Sequence, residues 1–238
     1  MTEIPYATIE VSGPDAKSFL QGQLTANLEP LAPGTATRAA WCNPKGRVIC
    51  VFNLIARDDG FTLTLPTELA EDVIQRLTLF RFRAKVEFGL RPATPGECGL
   101  QPGAVRDGLL ERLRSGIPEV WREQSEKYTA HMLNLDLLGA ISLDKGCYTG
   151  QEIIARTHYR GATRRRCLRF EADGPVRAGD KVLDGDREIG DVLNAIGREL
   201  LAVIPVDSAG KNLTAAGVGL RPVALPYLDA ENTIGQSE

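Results

Sequence analysis

Alternating hydrophobic and polar residues predict strands in the first third of the chain. Residues 35–42 and 48–56 flank the turn-forming segment Asn43-Pro44-Lys45-Gly46, which indicates a hairpin. A third run, residues 61–65, extends this hairpin to a meander and is typical of a half-buried strand. Charged and hydrophobic residues alternate over 81–88, the pattern of a strand with one face in water. The predicted strands are residues 6–11, 35–42, 48–56, 61–65 and 81–88.

Apolar residues at helical spacing predict helices between and after these strands. Residues 67–77 carry acids near their start and Arg76 near their end, as the helix dipole favours. Thr149 and Glu152 stand in the relation of a capping box, so another helix is predicted to start at Gly150. The predicted helices are residues 16–20, 67–77 and 106–114, a short buried helix over 135–141, and the one that begins at Gly150. Irregular segments are expected over 91–103 and 119–135.

After about residue 165 the pattern changes to short apolar runs broken by Gly and Asp, which favours a small antiparallel barrel. Its strands are expected near residues 167–170, 181–183, 188–190 and 200–204, with a closing strand over 225–227. The predicted domains are a body over 1–165, a barrel over 166–230 and a polar tail over 231–238.

Composition excludes several functional classes. The 238 residues have a formal charge of -3, which argues against a nucleic-acid binder held by bulk positive charge. The N-terminus lacks the pattern of a signal peptide, and no apolar run reaches transmembrane length. Five cysteines without a Cys-x-x-Cys pair, and only two histidines, favour neither a disulfide framework nor a metal site. We therefore expect a cytoplasmic protein with no resident metal and no membrane partner.

The segment 144–152 contains several reactive or charged side chains within nine residues. Cys147 precedes the predicted helix start, where unpaired N–H groups and the helix dipole favour a thiolate, and Lys145 adds a nearby positive charge. The competing interpretation is structural, because free cysteines are often small buried hydrophobes and any helix start can use a capping box.

A basic run follows this segment. No acidic residue occurs between Glu152 and Glu171, while Arg156, Arg160 and further arginines lie in that interval. Guanidinium groups bind carboxylates and phosphates, so the run is a candidate for holding an anionic cofactor tail or a nucleic-acid backbone. A solvated surface without a ligand is the alternative.

The octapeptide Lys145-Gly-Cys-Tyr-Thr-Gly-Gln-Glu152, together with the Gly-Pro-Asp segment that runs from Gly13 to Thr25, resembles the YgfZ family of folate-binding proteins. These are relatives of the glycine-cleavage T-protein, an aminomethyltransferase. The resemblance implies an α+β fold: a tetrahydrofolate-binding, T-protein-like body with ferredoxin-like elements, and a C-terminal antiparallel β-barrel. It also implies a functional role for the motif cysteine, here Cys147, and support for iron–sulfur cluster assembly or repair, including the clusters of tRNA-modifying enzymes.

The resulting hypothesis is an accessory factor rather than a conventional turnover enzyme. Cys147 supplies the functional thiol beside Lys145. The residues expected to contact tetrahydrofolate or a one-carbon derivative are Tyr148, Gln151, Glu152, Arg156 and Arg160. The expected partners are folate and iron–sulfur client enzymes or cluster-assembly proteins, with an indirect link to tRNA modification.

Two alternatives remain open. One is a folate-dependent aminomethyltransferase of the T-protein type, although the Gly-Tyr-Thr-Gly-Glu segment of T-proteins is absent. The other is a tRNA-binding module that uses residues 156–169.

Overall fold

The computed structural model describes residues 4–101, 103–160 and 163–228. Its backbone divides into two compact units. Unit 1 comprises Met1–Val105, Val120–Ala130 and Gly139–Ala155, and unit 2 comprises Arg106–Glu119, His131–Leu138 and Arg156–Glu238. The polar tail predicted over 231–238 lies outside the described residues.

Unit 1 is built on a five-stranded sheet in the order β2-β3-β4-β1-β5, in which each neighbouring pair is antiparallel. Its elements are β1 (Tyr6–Ser12), α1 (Ala16–Gln21), β2 (Ala36–Cys42), β3 (Val48–Arg57), β4 (Gly60–Pro66), α2 (Thr67–Phe80) and β5 (Glu87–Pro92). The predicted hairpin, meander and long helix are confirmed. The amphipathic pattern of α2 explains its place, because Leu69, Val73 and Leu77 are buried in the core on the sheet.

The two faces of the sheet differ in chemistry. Alternate residues of β1 and β4, among them Ile9 and Leu63, point into the hydrophobic core with both helices. The opposite face carries Thr8, Thr62 and Thr64, which are also buried. β4 is therefore buried on both faces and not half-buried as its alternation predicts.

Two predicted elements of the first 150 residues are wrong. Residues 81–86 form turns and irregular chain, and β5 begins only at Glu87. The alternation over 81–88 is misleading because Phe82 is exposed at a turn instead of lying on a buried strand face. Residues 135–139 form turns and residues 140–141 are irregular, so the predicted helix is absent. Asn134 and Gly139, with φ of 56° and 67°, are left-handed and interrupt any helix there.

Unit 2 contains a closed barrel in the order β10-β11-β6-β9-β8-β7. Its strands are β6 (Arg165–Ala172), β7 (Lys181–Asp184), β8 (Arg187–Ile196), β9 (Glu199–Pro205), β10 (Leu213–Ala215) and β11 (Val218–Val223). Among the described residues, the other α-helices are α3 (Val105–Arg114) and α4 (Gln151–Tyr159). The predicted barrel is confirmed, and with it the α+β class.

The predicted closing strand over 225–227 is wrong, because β11 closes the barrel by pairing with β6 and β10. Tyr227 instead donates its hydroxyl to the Gly116 carbonyl at 2.7 Å, so this segment is held by a side chain and not by a strand ladder. No helix among the described residues has the length and apolarity needed to cross a membrane.

Candidate functional site

The conspicuous sequence motif forms the loop that enters α4. The helix begins at Gln151, and Gly150 precedes it with φ of 85°. Since Gly150 is in the left-handed region, Thr149 does not stand directly before the first helical residue. The helix therefore starts one residue later than predicted. The predicted capping box is also wrong, because Gly150 and not Thr149 occupies the N-cap position.

The motif loop rests on the turn between β2 and β3. A Cβ at Gly150 would lie 2.7 Å from the Asn43 carbonyl oxygen and 3.2 Å from the Cβ of Cys42. A Cβ at Gly46 would in turn lie 2.9 Å from the side chain of Ile153. Both glycines have positive φ, so they allow a backbone approach that a larger residue would prevent.

Gly150→Ala is therefore expected to lower the free energy of unfolding by about 2 kcal/mol. The alanine would have to adopt a left-handed conformation, and its Cβ would clash with the Asn43 carbonyl oxygen. Urea unfolding measures this change. Gly146→Ala is the matched control in the same loop, since a Cβ there would meet no atom within 4 Å and its φ is not positive. Equal stability of the two variants would contradict the close packing of the loop on Asn43.

Lys145 holds the loop in place through hydrogen bonds to two backbone carbonyls. Its Nζ donates to the carbonyls of Leu24 at 2.8 Å and Ala26 at 2.7 Å, and lies 5.1 Å from the centre of the Tyr148 ring. Burial lowers the pKa of the Lys145 ammonium to about 8. Its described bonds therefore tie the cysteine motif to the Gly13–Thr25 motif and its neighbour Ala26.

Thr25 forms the second tie between the two motifs. Its carbonyl accepts the Ser142 amide at 2.8 Å, and its hydroxyl donates to the Ala140 carbonyl at 2.6 Å. The same hydroxyl accepts the Ala40 amide at 2.8 Å. One buried threonine therefore connects the strand β2 to the segment that leads into the motif loop.

Tyr148 is buried and Cys147 is exposed. The Tyr148 hydroxyl donates to the Ser142 carbonyl at 3.5 Å, and burial raises the pKa of that hydroxyl. Of the five cysteines, all in the described part of the chain, Cys147 alone is exposed. The loop thus presents one thiol to solvent from a backbone held by Lys145 and Tyr148.

The remaining predicted site residues lie on α4 or just after it. Gln151 is half-buried, while Glu152, Arg156 and Arg160 are exposed. The Arg160 amide donates to the Arg156 carbonyl at 3.0 Å, which continues the helical hydrogen bonding by one residue.

Two arginines of the basic run have internal partners in unit 2. Arg166 binds Asp136 through two bonds of 2.7 and 2.9 Å. Arg169 binds Glu199 at 2.7 Å. Both acids are distant in sequence, so inspection of the run alone does not reveal that these guanidinium groups are used structurally.

A buried carboxylate in unit 1 was not predicted. Glu97 is 6% exposed, on a short 3₁₀ turn of the segment expected to be an irregular loop. It accepts bonds of 2.9 and 2.6 Å from Arg91, and two bonds of 3.0 Å from the amide and hydroxyl of Thr94. The Arg91 guanidinium and these other donors hold the pKa of Glu97 at about 2.

This carboxylate lies near a cavity of about 780 Å³ in unit 1. Residues lining the cavity include Glu10, Arg57, Thr62 and Arg91. The hydroxyl of Thr62 is buried without a hydrogen-bond partner among the described residues. None of the residues predicted to contact a cofactor lines this cavity. No described group of three or more His, Cys, Asp and Glu side chains is arranged to hold a metal ion.

Comparison with known proteins first concerns the barrel. Residues 164–227 match the family described as the CAF17 C-terminal beta-barrel domain. Among solved structures, the glycine cleavage system aminomethyltransferase T of Bartonella henselae superposes with a TM-score of 0.72 and 15% identity, covering 94% of this chain and 84% of that one. The chain therefore has a T-protein-like fold, as predicted.

Curated relatives align with most of the chain. An uncharacterized protein of Haemophilus influenzae is 31% identical over 198 residues, which cover 70% of this chain and 71% of that protein. The tRNA-modifying protein YgfZ of Edwardsiella ictaluri is 28% identical over 291 residues, covering 95% and 84%. The mitochondrial iron-sulfur cluster assembly factor IBA57 homolog of Pyricularia oryzae is 29% identical over 210 residues, covering 67% and 54%. Together with the motif around Cys147, these similarities establish that the chain belongs to the YgfZ family.

Proposed function

We propose that this protein is a tetrahydrofolate-binding accessory factor for the assembly or repair of iron–sulfur clusters, including those of tRNA-modifying enzymes. The observation that carries the proposal is the exposed Cys147 thiol on a loop held by Lys145 and Tyr148. The names of the YgfZ and IBA57 relatives support the link to tRNA modification and to iron–sulfur cluster assembly. The five cysteines, all within the described residues, form no disulfide with one another, which supports a reducing, cytoplasmic location.

The thiol is the group through which the protein acts. An exposed cysteine can bind an iron ion, take the outer sulfur of a donor persulfide while the donor leaves as a thiol, or exchange with a disulfide of a partner, which releases one partner thiol. The other four cysteines are buried, and burial raises the pKa of the thiols of Cys42, Cys50 and Cys167. Those three are consequently weak nucleophiles, which leaves Cys147 as the thiol available to a partner.

Two separate features of the described residues support folate as the ligand: exposed arginines and a cavity in unit 1. The glutamate end of tetrahydrofolate carries carboxylates, which guanidinium groups bind well. We propose that Arg156 and Arg160, both exposed, hold this end, with Tyr148, Gln151 and Glu152 as the neighbouring residues. The cavity of about 780 Å³ beside Arg57 has the volume of a small-molecule site and is the second position to test.

Arg156→Ala is expected to weaken tetrahydrofolate binding about tenfold, because one guanidinium–carboxylate pair contributes about 1.4 kcal/mol. Calorimetric titration of the purified protein measures the affinity. Arg187→Ala, at an exposed position on β8, is the matched control and should bind like the wild type. If Arg57→Ala weakens binding while Arg156→Ala does not, the carboxylates are held in the unit 1 cavity instead. Absence of binding by the wild-type protein would contradict the folate proposal.

The cellular function is tested by complementation. Cells that lack their own YgfZ-type protein should regain the activity of an iron–sulfur tRNA-thiomethylating enzyme when they produce this chain. Enzyme activity in extracts is measured beside the amount of enzyme protein, so that cluster content is separated from expression. Full-length chain that accumulates but restores no activity would contradict the proposal.

A further inference from the structure

The turn after α2 presents an aromatic side chain to solvent. Phe82 is 88% exposed, and its φ of 44° lies in the left-handed region. A bulky residue is strained in this conformation, and exposure of a phenylalanine ring to water is unfavourable. Both costs would be avoided by asparagine or glycine at this position. Strain of this kind is concentrated at functional sites.

This turn is held in place by unit 1. The Lys85 amide donates to the Asp15 carboxylate at 2.8 Å, and the Arg81 side chain donates to the Val86 carbonyl at 3.2 Å. The Ala84 amide donates to the Arg81 carbonyl at 2.8 Å. The position of Phe82 is therefore set by the fold on both sides of it.

Phe82 belongs to a mixed apolar and basic surface. Leu79 is 75% exposed and Phe80 is 40% exposed at the end of α2. The surface, which we name the Phe82 patch, consists of Leu79, Phe80, Arg81, Phe82, Arg83 and Lys85. Its three cations are exposed, and within the described residues none of them forms an ion pair. Aromatic and arginine side chains are the residues enriched in protein interfaces.

Contacts through Trp41 link the patch to the cysteine motif. The rings of Phe80 and Trp41 meet edge to face, with centroids 6.2 Å apart. Trp41 pairs with Leu24 in an isolated bridge, and the Leu24 carbonyl accepts the Lys145 ammonium. The patch and the loop that carries Cys147 are thus joined by a short chain of packed residues within unit 1.

We propose that the Phe82 patch is a docking surface for a partner protein that carries an apolar pocket bordered by aspartate and glutamate side chains. Phe82 and Leu79 enter the pocket, and the unpaired cations at positions 81, 83 and 85 meet the acidic border. If the proposed function holds, this partner is the protein that the Cys147 thiol serves. Docking at the patch brings the partner to the neighbourhood of the thiol.

Charge and side-chain type favour this partner over other occupants. A second copy bound symmetrically through the same patch would place the cations of both copies together, which is repulsive. A single-stranded nucleic acid gains affinity from base stacking on aromatic rings. Leu79, however, is aliphatic and more exposed than the Phe80 ring, so much of the apolar surface has no use in stacking.

In the first test, one substitution is expected to raise the stability of the protein and to lower its activity in cells, so that a loss of docking is not confused with a loss of folding. Phe82→Asn should raise the melting temperature by a few degrees, because asparagine tolerates the left-handed conformation. The same variant should restore at least fivefold less cluster-dependent enzyme activity than the wild type in the complementation assay. Leu90→Asn is the control, since Leu90 is 45% exposed on β5 outside the patch. Wild-type levels of restoration by Phe82→Asn would overturn the proposal. Failure of the wild-type chain itself would instead count against the proposed function.

The second test does not depend on the proposed function. Benzoylphenylalanine is placed at position 82 and photoactivated in living cells. The expected result is one dominant protein adduct that falls at least fivefold when Arg83 and Lys85 are both changed to glutamate. The proposal would be overturned by adducts with RNA, by adducts with a second copy of this chain, or by the absence of any adduct. It would also be overturned if the amount of protein adduct did not change in the charge-reversed variant.

Discussion

Cys147→Ser is expected to abolish the ability of this chain to restore cluster-dependent enzyme activity, with a loss of at least tenfold. Serine has the size of cysteine but a hydroxyl that neither ionises near neutral pH nor forms persulfides or disulfides. Because Cys147 is exposed, the substitution should leave the melting temperature unchanged within about one degree. The measurement is enzyme activity in complemented cells, beside thermal unfolding of the purified variant.

Two controls make the Cys147 result specific. Thr149→Ser changes the same loop conservatively and should restore activity like the wild type. Brief alkylation of the folded wild-type protein should modify Cys147 before the four buried cysteines, as mass spectrometry of the peptides can show. Full activity of Cys147→Ser would exclude a role for the thiol and leave only the fold and the folate proposal.

Glu97→Gln is expected to lower the free energy of unfolding of unit 1 by about 3 kcal/mol at neutral pH. The Glu97 pKa is lowered from 4.5 to about 2, and such a difference between unfolded and folded states corresponds to about 3 kcal/mol of stability. Glutamine has the same shape but cannot form the charged pair with Arg91, and it leaves that guanidinium without its buried partner. Urea unfolding at pH 7 measures the loss.

The sign of the pH dependence follows from the lowered pKa. A carboxyl group whose folded pKa is depressed stabilises the protein above its unfolded pKa, and this stability is lost as the pH falls. The contribution of Glu97 is therefore complete above about pH 4.5 and disappears as the pH approaches 2. Glu97→Gln should remove this component of the acid unfolding curve. Glu87→Gln, at an exposed position on β5, is the control and should change stability by less than about 0.5 kcal/mol. If both variants lose equal stability, the buried pair does not have the assigned role.

Strong local patterns in the sequence account for much of the fold. The meander and the helices α2 and α3 were predicted because their hydrophobic periods agree with the burial that the tertiary structure imposes. Short runs broken by Gly and Asp likewise indicated the barrel. The predicted domain boundaries at 165/166 and 230/231 stay predictions, as does the thiolate state of Cys147.

Patterns failed where burial and pattern disagree. The alternation over 81–88 has the period of a strand, but its Phe82 is turned to solvent at a strained turn. The apolar run 135–141 has helical composition, but the residue directly before it, Asn134, is left-handed. Gly139 within the run is left-handed as well and interrupts a helix. In both places a single backbone conformation, set by contacts with distant segments, overrides the local preference.

By itself the sequence determined most of the element pattern, the family resemblance and the selection of Cys147 as the candidate functional thiol, because these depend on residues close together in the chain. Only the tertiary structure decided which charged side chains have hydrogen-bonding or ion-pair partners inside the protein. Lys145 donates to two carbonyls near residue 25, Arg166 pairs with Asp136, and the buried Glu97 carboxylate accepts hydrogen bonds from Thr8 and Arg57. These partners are brought together by folding over long sequence separations, so no local pattern records them.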